Sequence, residues 1–393
     1  MNPSIVNDSP VFALGAEFTR REIAPHLDAW EEEGMLPRDL HRSAAQQGIL
    51  GVGFHEEFGG SGGDLQDTND CQEGLLTAGG SSGVLASLFT HGIALPHMVA
   101  AAQREEGADW AGLVERYVRP TLEGRMIGSL AVTEPGGGSD VAGIRTTAVR
   151  DGDHYVVNGA KTFITSGVRA DFVTTAVRTG GPGHAGVSLL VVEKDTPGFT
   201  VDRALRKTGW HCSDTAELAY VDVRVPVENL VGRENTGFYQ IAEQFVVERI
   251  GLAVHAYGIA ARALDLTVAY AHDRHTFGRP LVANQVVRHK LVEMRREVEV
   301  ARAYARDVAG RHIAGENVVA QACLAKQTAV DAATKVTYEA VQLHGGTGYM
   351  HGTEVERHAR DSRILPIGGG ASEVLADLAA KLFGYSPRKR VEQ

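Results

Sequence analysis

Residues 130–140 read LAVTEPGGGSD, and residues 158–167 read NGAKTFITSG. The first stretch predicts a strand that stops at Pro135 and opens into three glycines and a serine, where backbone N–H groups can approach an anionic or ring-edge acceptor without side-chain obstruction. Alone, such a loop is more often an ordinary glycine-rich turn. The second stretch shifts that balance. Asn158-Gly159 is a hairpin signal, and Thr162-Phe163-Ile164-Thr165 alternates polar and apolar residues, so an aromatic ring and two hydroxyls are expected on a strand edge near the first loop.

Outward from this pair, β-branched and period-two runs occupy 146–150, 155–157, 162–165, 172–177, 187–193 and 216–225, with turn signals at Asp151-Gly152 and Asn158-Gly159. Short strands at such spacing predict a small β-sandwich or barrel over 129–233. Before it, Val11, Phe12, Leu14, Phe18, Ile23 and Leu27 recur at helical spacing across 11–33, and further helices are expected at 37–47, 67–78, 82–102 and 110–123. After Gly232 the helical pattern returns at 237–273, 284–312, 318–343 and 372–382. The fold class is therefore α+β and multidomain: N-terminal helices over 1–128, a β domain over 129–233 and C-terminal helices over 234–393.

The chain has 393 residues, 43% hydrophobic and 22% charged, an ordinary globular composition with room for two or three domains. Its net charge of −10 argues against general binding to a phosphate backbone, so no nucleic-acid partner is expected. Cys71, Cys212 and Cys323 are odd in number and far apart, which disfavours both a disulfide framework and a thiolate metal site. Sixteen histidines include no pair at zincin spacing, so no metal is expected. No apolar run reaches eighteen residues, and MNPSIVNDSPVFALGAEF has neither a basic start nor a continuous apolar core. A cytoplasmic location is expected. Two tempting motifs fail on context: 181–186 fits GxGxxG but precedes a strand-like run, and 79–83 fits GxSxG but follows a helical one.

LAVTEPGGGSD and NGAKTFITSG, joined by SDTAELAYVDVRVP at 213–226, RHTFGRPLVANQ at 274–285 and QLHGGTGYMHGTEVERHARDSRI at 342–364, resemble the acyl-CoA dehydrogenase family along nearly the whole chain. The resemblance implies a C-terminal four-helix bundle that builds a homotetramer as a dimer of dimers. It also implies FAD between the β domain and the C-terminal helices, completed by a second subunit, and an electron-transfer flavoprotein or similar acceptor.

An isoalloxazine ring needs donors at its edges and an apolar wall, because these set its electron affinity and exclude water. The resemblance assigns Leu130, Ala131, Val132 and Thr133 to the pyrimidine edge, Ser139 to the phosphate and thioester region, and Phe163, Ile164 and Thr165 to the N5 side and ring face. Phe163 stands where the family commonly has Trp; it keeps the wall and loses the indole. Arg274, Phe277 and Gln285 match residues that reach a neighbouring subunit's FAD, and Gln342, Leu343, Gly345 and Gly346 match the loop along its adenosine. Ala371 and Glu373 are likewise assigned to the cofactor.

Where most of the family carries the catalytic base in a Tyr-Glu-Gly-Thr run, this chain has Gly368-Gly369-Gly370-Ala371. A subset that includes isovaleryl-CoA dehydrogenase places its glutamate on the long helix instead, beside an arginine; here that is Glu248, followed by Arg249. Gln244, Phe245, Gly251 and Leu252 lie three and four residues from Glu248, so its helix face offers no opposite charge. The implied reaction is the α,β-dehydrogenation of an acyl-CoA or acyl-carrier thioester. Glu248 takes the α proton, the Gly369 N–H steadies the enolate, and Ser139 and Arg249 contact substrate. Loss of side chains at 368 and 369 leaves room for a methyl branch, so a short or branched acyl group is expected. A flavin-dependent oxidase or monooxygenase on the same fold, and a non-catalytic acyl-CoA-binding relative, remain open alternatives.

Overall fold

The computed structural model describes residues 3–385; the extremities of the first and last expected domains, 1–2 and 386–393, lie outside the described residues. The chain divides into two compact units, Asn7–Phe245 and Val246–Gln393 with Met1–Val6.

In the first unit, the single helix expected over 11–33 is broken. It runs as Pro10–Phe18, a π-type turn at Thr19–Ile23, and Leu27–Glu33. Pro25 cannot donate to the helical ladder, which ends the first run. The helix expected over 82–102 is likewise three pieces, Ser82–Leu88, His91–Ala94 and Pro96–Gln103, the last restarting at a proline in its first turn. Asp64 and Asp67 form a reciprocal cap on Leu65–Thr77, one satisfying the first-turn N–H groups and the other the cap's own N–H.

Seven strands follow: β1 Gly128–Ala131, β2 Thr147–Asp151, β3 His154–Thr165, β4 Phe172–Arg178, β5 Val187–Glu193, β6 Phe199–Ala204 and β7 Thr215–Pro226. They form one curled sheet in the order β1-β4-β2-β3-β7-β6, with β5 on the free side of β4. Strand β1 runs parallel to β4, Gly128 opposite Phe172 and Ala131 opposite Thr175. The apolar run of β4 is buried on both faces: Phe172 and Ala176 join a core with Tyr117, Leu189 and Ile241, while Val173 and Val177 join one with Tyr155, Leu190 and Tyr220. Period-two alternation thus separates two cores rather than core from solvent.

Asn158-Gly159, expected to turn a hairpin, lies inside β3. The pairing with β7 slips between Val157 and Gly159, Gly159 has φ +152°, and a Cβ there would stand 2.5 Å from Thr146 Oγ1. Asn158 Nδ2 donates to Asp222 Oδ1 (3.1 Å) and the Asp222 N–H donates back to Asn158 Oδ1 (2.9 Å). Side-chain pairing across the ladder turns a strong turn signal into a bulge. The hairpin turn that does form is at Asp151-Gly152, between β2 and β3.

In the second unit the long helix spans Gly237–Asp273, as expected, and begins in the first unit. Helices Gln285–Ile313, Val319–His344 and Ser372–Leu382 follow, each within about a residue of the sequence reading. Two further helices escaped it, Gly346–Tyr349 and Glu354–Ser362. Ala253, Ala256, Ala260, Ala261 and Ala263 are all fully buried, the close packing that small side chains permit. Arg262 grips Glu354 through both guanidinium edges, Nε–Oε1 at 2.6 Å and Nη2–Oε2 at 3.0 Å.

Candidate active site and cofactor elements

The two stretches that open the sequence reading are bonded to each other. Ser129 Oγ donates to the Thr165 carbonyl (2.6 Å), the Thr162 N–H donates to the Thr133 carbonyl (2.9 Å), and the Thr133 hydroxyl donates to the Thr162 carbonyl. Beneath them Lys161, fully buried, donates from Nζ to the Val132 carbonyl (3.0 Å) and to Glu134 Oε1 (2.9 Å). Burial pulls the Lys161 ammonium down to about 8 despite the Glu134 charge. Burial also opposes ionisation of Glu134, yet Lys161 and the N–H groups of Thr146 and Arg145 hold its carboxyl below the usual range. The result is a braced platform. Leu130, Ala131, Val132 and Ile164 are buried in it, Thr133 and Thr165 are half-buried, and Phe163, at φ +60°, stands 70% exposed.

These residues fit a flavin. Residues 135–140, with Ser139, are exposed, and a Cβ added at Gly136 or Gly137 would meet no atom within 4 Å, so the loop backbone is open to a ligand. The displayed Phe163 ring supplies an apolar wall on the strand bonded to that loop. An aromatic held out in left-handed backbone, while its neighbour Ile164 is buried, is the arrangement a bound ring would use.

In the second unit, Arg274 is exposed at the end of the long helix, and the Leu281 N–H donates to its carbonyl (2.7 Å), closing a small loop with Phe277 at its fully exposed tip. Gln285, also exposed, opens the next helix. Gln342, Gly345 and Gly346 are exposed and Leu343 half-buried around His344, whose ring stacks on Tyr270 at 4.3 Å. The RHTFG and QLHGG blocks are thereby brought to one end of the helices. Ala371 caps the last helix, and Glu373 is exposed in its first turn.

Glu248 and Gly369 meet. A Cβ built on Gly369 would stand 3.2 Å from Glu248 Oε1 and 2.2 Å from Leu252 Cδ1, and Gly369 has φ +62°. The carboxylate of one element occupies the space that a side chain at 369 would take. Glu248 is half-buried, and burial raises its carboxyl above the ordinary value, with the Lys326 and Arg249 charges pulling the other way. Arg249 itself is buried, 7% exposed. The room expected beside Gly369 is taken by Leu252 and Glu248, whereas a Cβ added at Gly368 would make only ordinary contact, with the Ile364 carbonyl oxygen 3.7 Å away.

Sequence reasoning missed Lys326, which is 1% exposed and donates from Nζ to the carbonyls of Gly368 (2.5 Å) and Gly370 (2.7 Å). A signal was available. Cys323, Ala322, Ala329 and Val330 lie three and four residues away, so the lysine interrupts an apolar stripe, and a buried ammonium demands partners. Lys161 and Glu134 were also missed.

The rejected motifs stay rejected. Residues 181–186 lead into β5, and Gly79-Gly80 is a turn between two helices, with Ser81 capping the second. Among the described residues no group of three or more His, Cys, Asp or Glu could hold a metal ion, and no helix is long and apolar enough to cross a membrane. The three cysteines are free and buried.

Family models for the N-terminal, middle and C-terminal domains of acyl-CoA dehydrogenase match residues 13–111, 129–223 and 235–383. An acyl-CoA dehydrogenase of Bacillus subtilis is 36% identical over 359 residues, 91% of this chain and 93% of that one. The crystal structure of a probable acyl-CoA dehydrogenase from Mycobacterium abscessus superposes with a TM-score of 0.93 at 60% identity, covering 96% of this chain and 100% of the other. A Mycobacterium smegmatis glutaryl-CoA dehydrogenase, solved in complex with FADH2, superposes with a TM-score of 0.88 at 26% identity, covering 98% and 97%. The chain belongs to the acyl-CoA dehydrogenase family, FAD-dependent oxidoreductases that act on the CH–CH bond of acyl-CoA, and it has that family's three-domain fold.

Proposed function

We propose that this chain carries out acyl-CoA dehydrogenation with Glu248 as the base, on a site completed by the Gly369 backbone. The observation that carries the reading is the placement of the Glu248 carboxylate 3.2 Å from where a side chain at 369 would begin. An unactivated hydrogen beside a thioester leaves only if a base takes the α proton while a donor stabilises the developing enolate oxygen. Glu248 supplies the first. Its half-buried position disfavours the charged form, which brings its proton affinity nearer to that of a working base at neutral pH. The Gly369 N–H supplies the second, because a backbone donor needs no side chain, and Arg249 and Ser139 orient the acyl thioester.

Leu130, Ala131, Val132, Thr133, Phe163, Ile164 and Thr165 would hold the flavin ring, and Ser139, Ala371 and Glu373 the rest of the cofactor. FAD, when bound, accepts the hydride that leaves the β carbon. Arg274, Phe277, Gln285, Gln342, Leu343, Gly345 and Gly346 would serve the FAD of a neighbouring subunit in a dimer of dimers. The wholly exposed Phe277, with exposed Tyr338, Tyr349 and Met350, supports a covered surface there. An electron-transfer flavoprotein as acceptor, on family resemblance, a cytoplasmic location, on the character of the N-terminal sequence, and short or branched acyl groups complete the reading; for the last, Gly368 leaves space for a side chain and Gly369 does not.

Anaerobic bleaching of the flavin, screened over straight and branched acyl-CoA thioesters, tests the reading. Bleaching with formation of the trans-2-enoyl thioester and slow reoxidation in air is expected; rapid reoxidation by oxygen would assign an oxidase instead.

A further inference from the structure

Lys326 is buried on the helix Val319–His344 and is assigned to neither cofactor nor substrate, yet both of its located hydrogen bonds end on the glycine loop. The carbonyl of Gly368 and the N–H of Gly369 belong to one peptide group. The bond is trans, as throughout the described residues, so an ammonium fixed on that carbonyl sets where the Gly369 N–H points, antiparallel to the carbonyl within the peptide plane. The same contact polarises the amide and strengthens its N–H as a donor, since hydrogen bonds along a chain of dipoles reinforce one another. The second bond, to Gly370, closes the clamp on the other side of Gly369. Without it, three glycines in a row, two of them at positive φ, would be free to sample several conformations.

The groups facing Lys326 are few: Glu248 and Arg249 on the long helix, Cys323 one turn back on its own helix, and the two carbonyls. Burial draws the ammonium down to about 8, with Glu248 pushing it back up and Arg249 adding to the fall, so it is charged at neutral pH.

We propose that Lys326 is a positioning residue for the dehydrogenation: its ammonium orients and polarises the Gly368–Gly369 peptide group as an enolate donor, and counter-charges the Glu248 carboxylate beside it. The proposal rests on the assignment of Glu248 and the Gly369 N–H made above. It deepens that assignment by naming the residue that couples base and donor.

The test uses the FAD-loaded enzyme and the acyl-CoA that bleaches the parent fastest. Lys326→Met removes charge and donors, and Lys326→Gln removes the charge while keeping an amide donor. The Met variant is expected to retain FAD and to reduce it about 10²-fold more slowly at pH 7. In both variants the rising limb of the rate against pH should move to higher pH, because Glu248 loses a positive neighbour. The infrared C=O stretch of the bound trans-2-enoyl-CoA product should return toward its solution value in the Met variant, reporting a weakened donor. A slower rate with limb and stretch both unmoved would make the role merely structural and overturn the proposal, as would parental values throughout. If the Met variant loses FAD, the Gln variant decides, and an unshifted limb there is fatal; failure of both to fold makes Lys326 a residue of the fold and also overturns it.

Glu248→Gln, run alongside, separates the two layers. If it is slow while both lysine variants are parental, the base assignment stands and the clamp falls. If it is parental while Lys326→Met is slow with a weakened carbonyl signal, the base assignment falls and the donor clamp stands.

Discussion

Glu248 and Gly369 share one space: the glutamate's Oε1 stands 3.2 Å from the point at which a side chain on the glycine would start, and Leu252 Cδ1 only 2.2 Å from it. An alanine at 369 would meet both and would also sit at φ +62°, which L side chains rarely adopt. Gly369→Ala is therefore expected to destabilise the protein by about 1–3 kcal/mol and to slow flavin reduction, measured by thermal unfolding and anaerobic stopped flow. For the same reason Gly369→Glu should not rescue Glu248→Gln unless Leu252 is also cut back to alanine; rescue without that change would show the loop to be more yielding than its geometry implies.

Fully buried Lys161 and half-buried Glu134 pair 2.9 Å apart beneath the platform proposed to hold the flavin. Removing the lysine leaves half-buried Glu134 with only the Thr146 and Arg145 N–H groups to hold its charge, and leaves the Val132 carbonyl without its donor. Lys161→Met should cost about 3–5 kcal/mol and loosen FAD, because Val132 and Glu134 lose the ammonium that braces them. Unfolding midpoints and flavin content after gel filtration check this, and an unchanged midpoint would refute it.

Arg274→Ala should weaken FAD retention by about 1.5–3 kcal/mol, the worth of a charge-assisted contact to a pyrophosphate. The expected readout is a lower flavin-to-protein ratio on dilution together with a shift toward smaller oligomers by light scattering. Retention equal to the parent would remove Arg274 from the cofactor set.

His91, His97 and His255 are buried, and burial alone or as the leading cause pulls each down to about 4 from an ordinary 6.5. The unfolded chain takes up these protons first, so stability is fully present above pH 6.5 and is lost as pH falls toward 4. Each histidine accounts for at most roughly 3 kcal/mol of that loss. Thermal midpoints measured between pH 7 and pH 4 should fall steadily, and His97→Gln should flatten the slope.

Much of this architecture was legible because long periodic segments announce themselves. The 37-residue helix Gly237–Asp273 was read correctly from apolar spacing and small residues. Asn158-Gly159 misled because its turn chemistry was overridden by pairing with Asp222 across the sheet, which no local window contains. Strand β6 was missed because only its first residue, Phe199, is buried, leaving little apolar alternation to find. At the site, the missing carboxylate near 369 pointed to Glu248 through resemblance to the subset that carries its base on the long helix, with the apolar spacing around Glu248 as support. Its neighbours could not be read the same way: helical spacing showed no opposite charge on its own face, while Lys326 approaches from a different helix.

The central claim is that Glu248 removes the α proton, and Glu248→Gln tests it most directly, since the amide keeps the shape and cannot accept the proton. With the best acyl-CoA under anaerobic conditions, the account predicts flavin reduction slower by at least about 10²-fold, with acyl-CoA binding retained. In the parent, the rate should rise with pH through a carboxyl lifted above its ordinary range by burial, and that limb should vanish in the variant. Flavin reduction by Glu248→Gln at the parental rate, with the limb intact, would contradict the account.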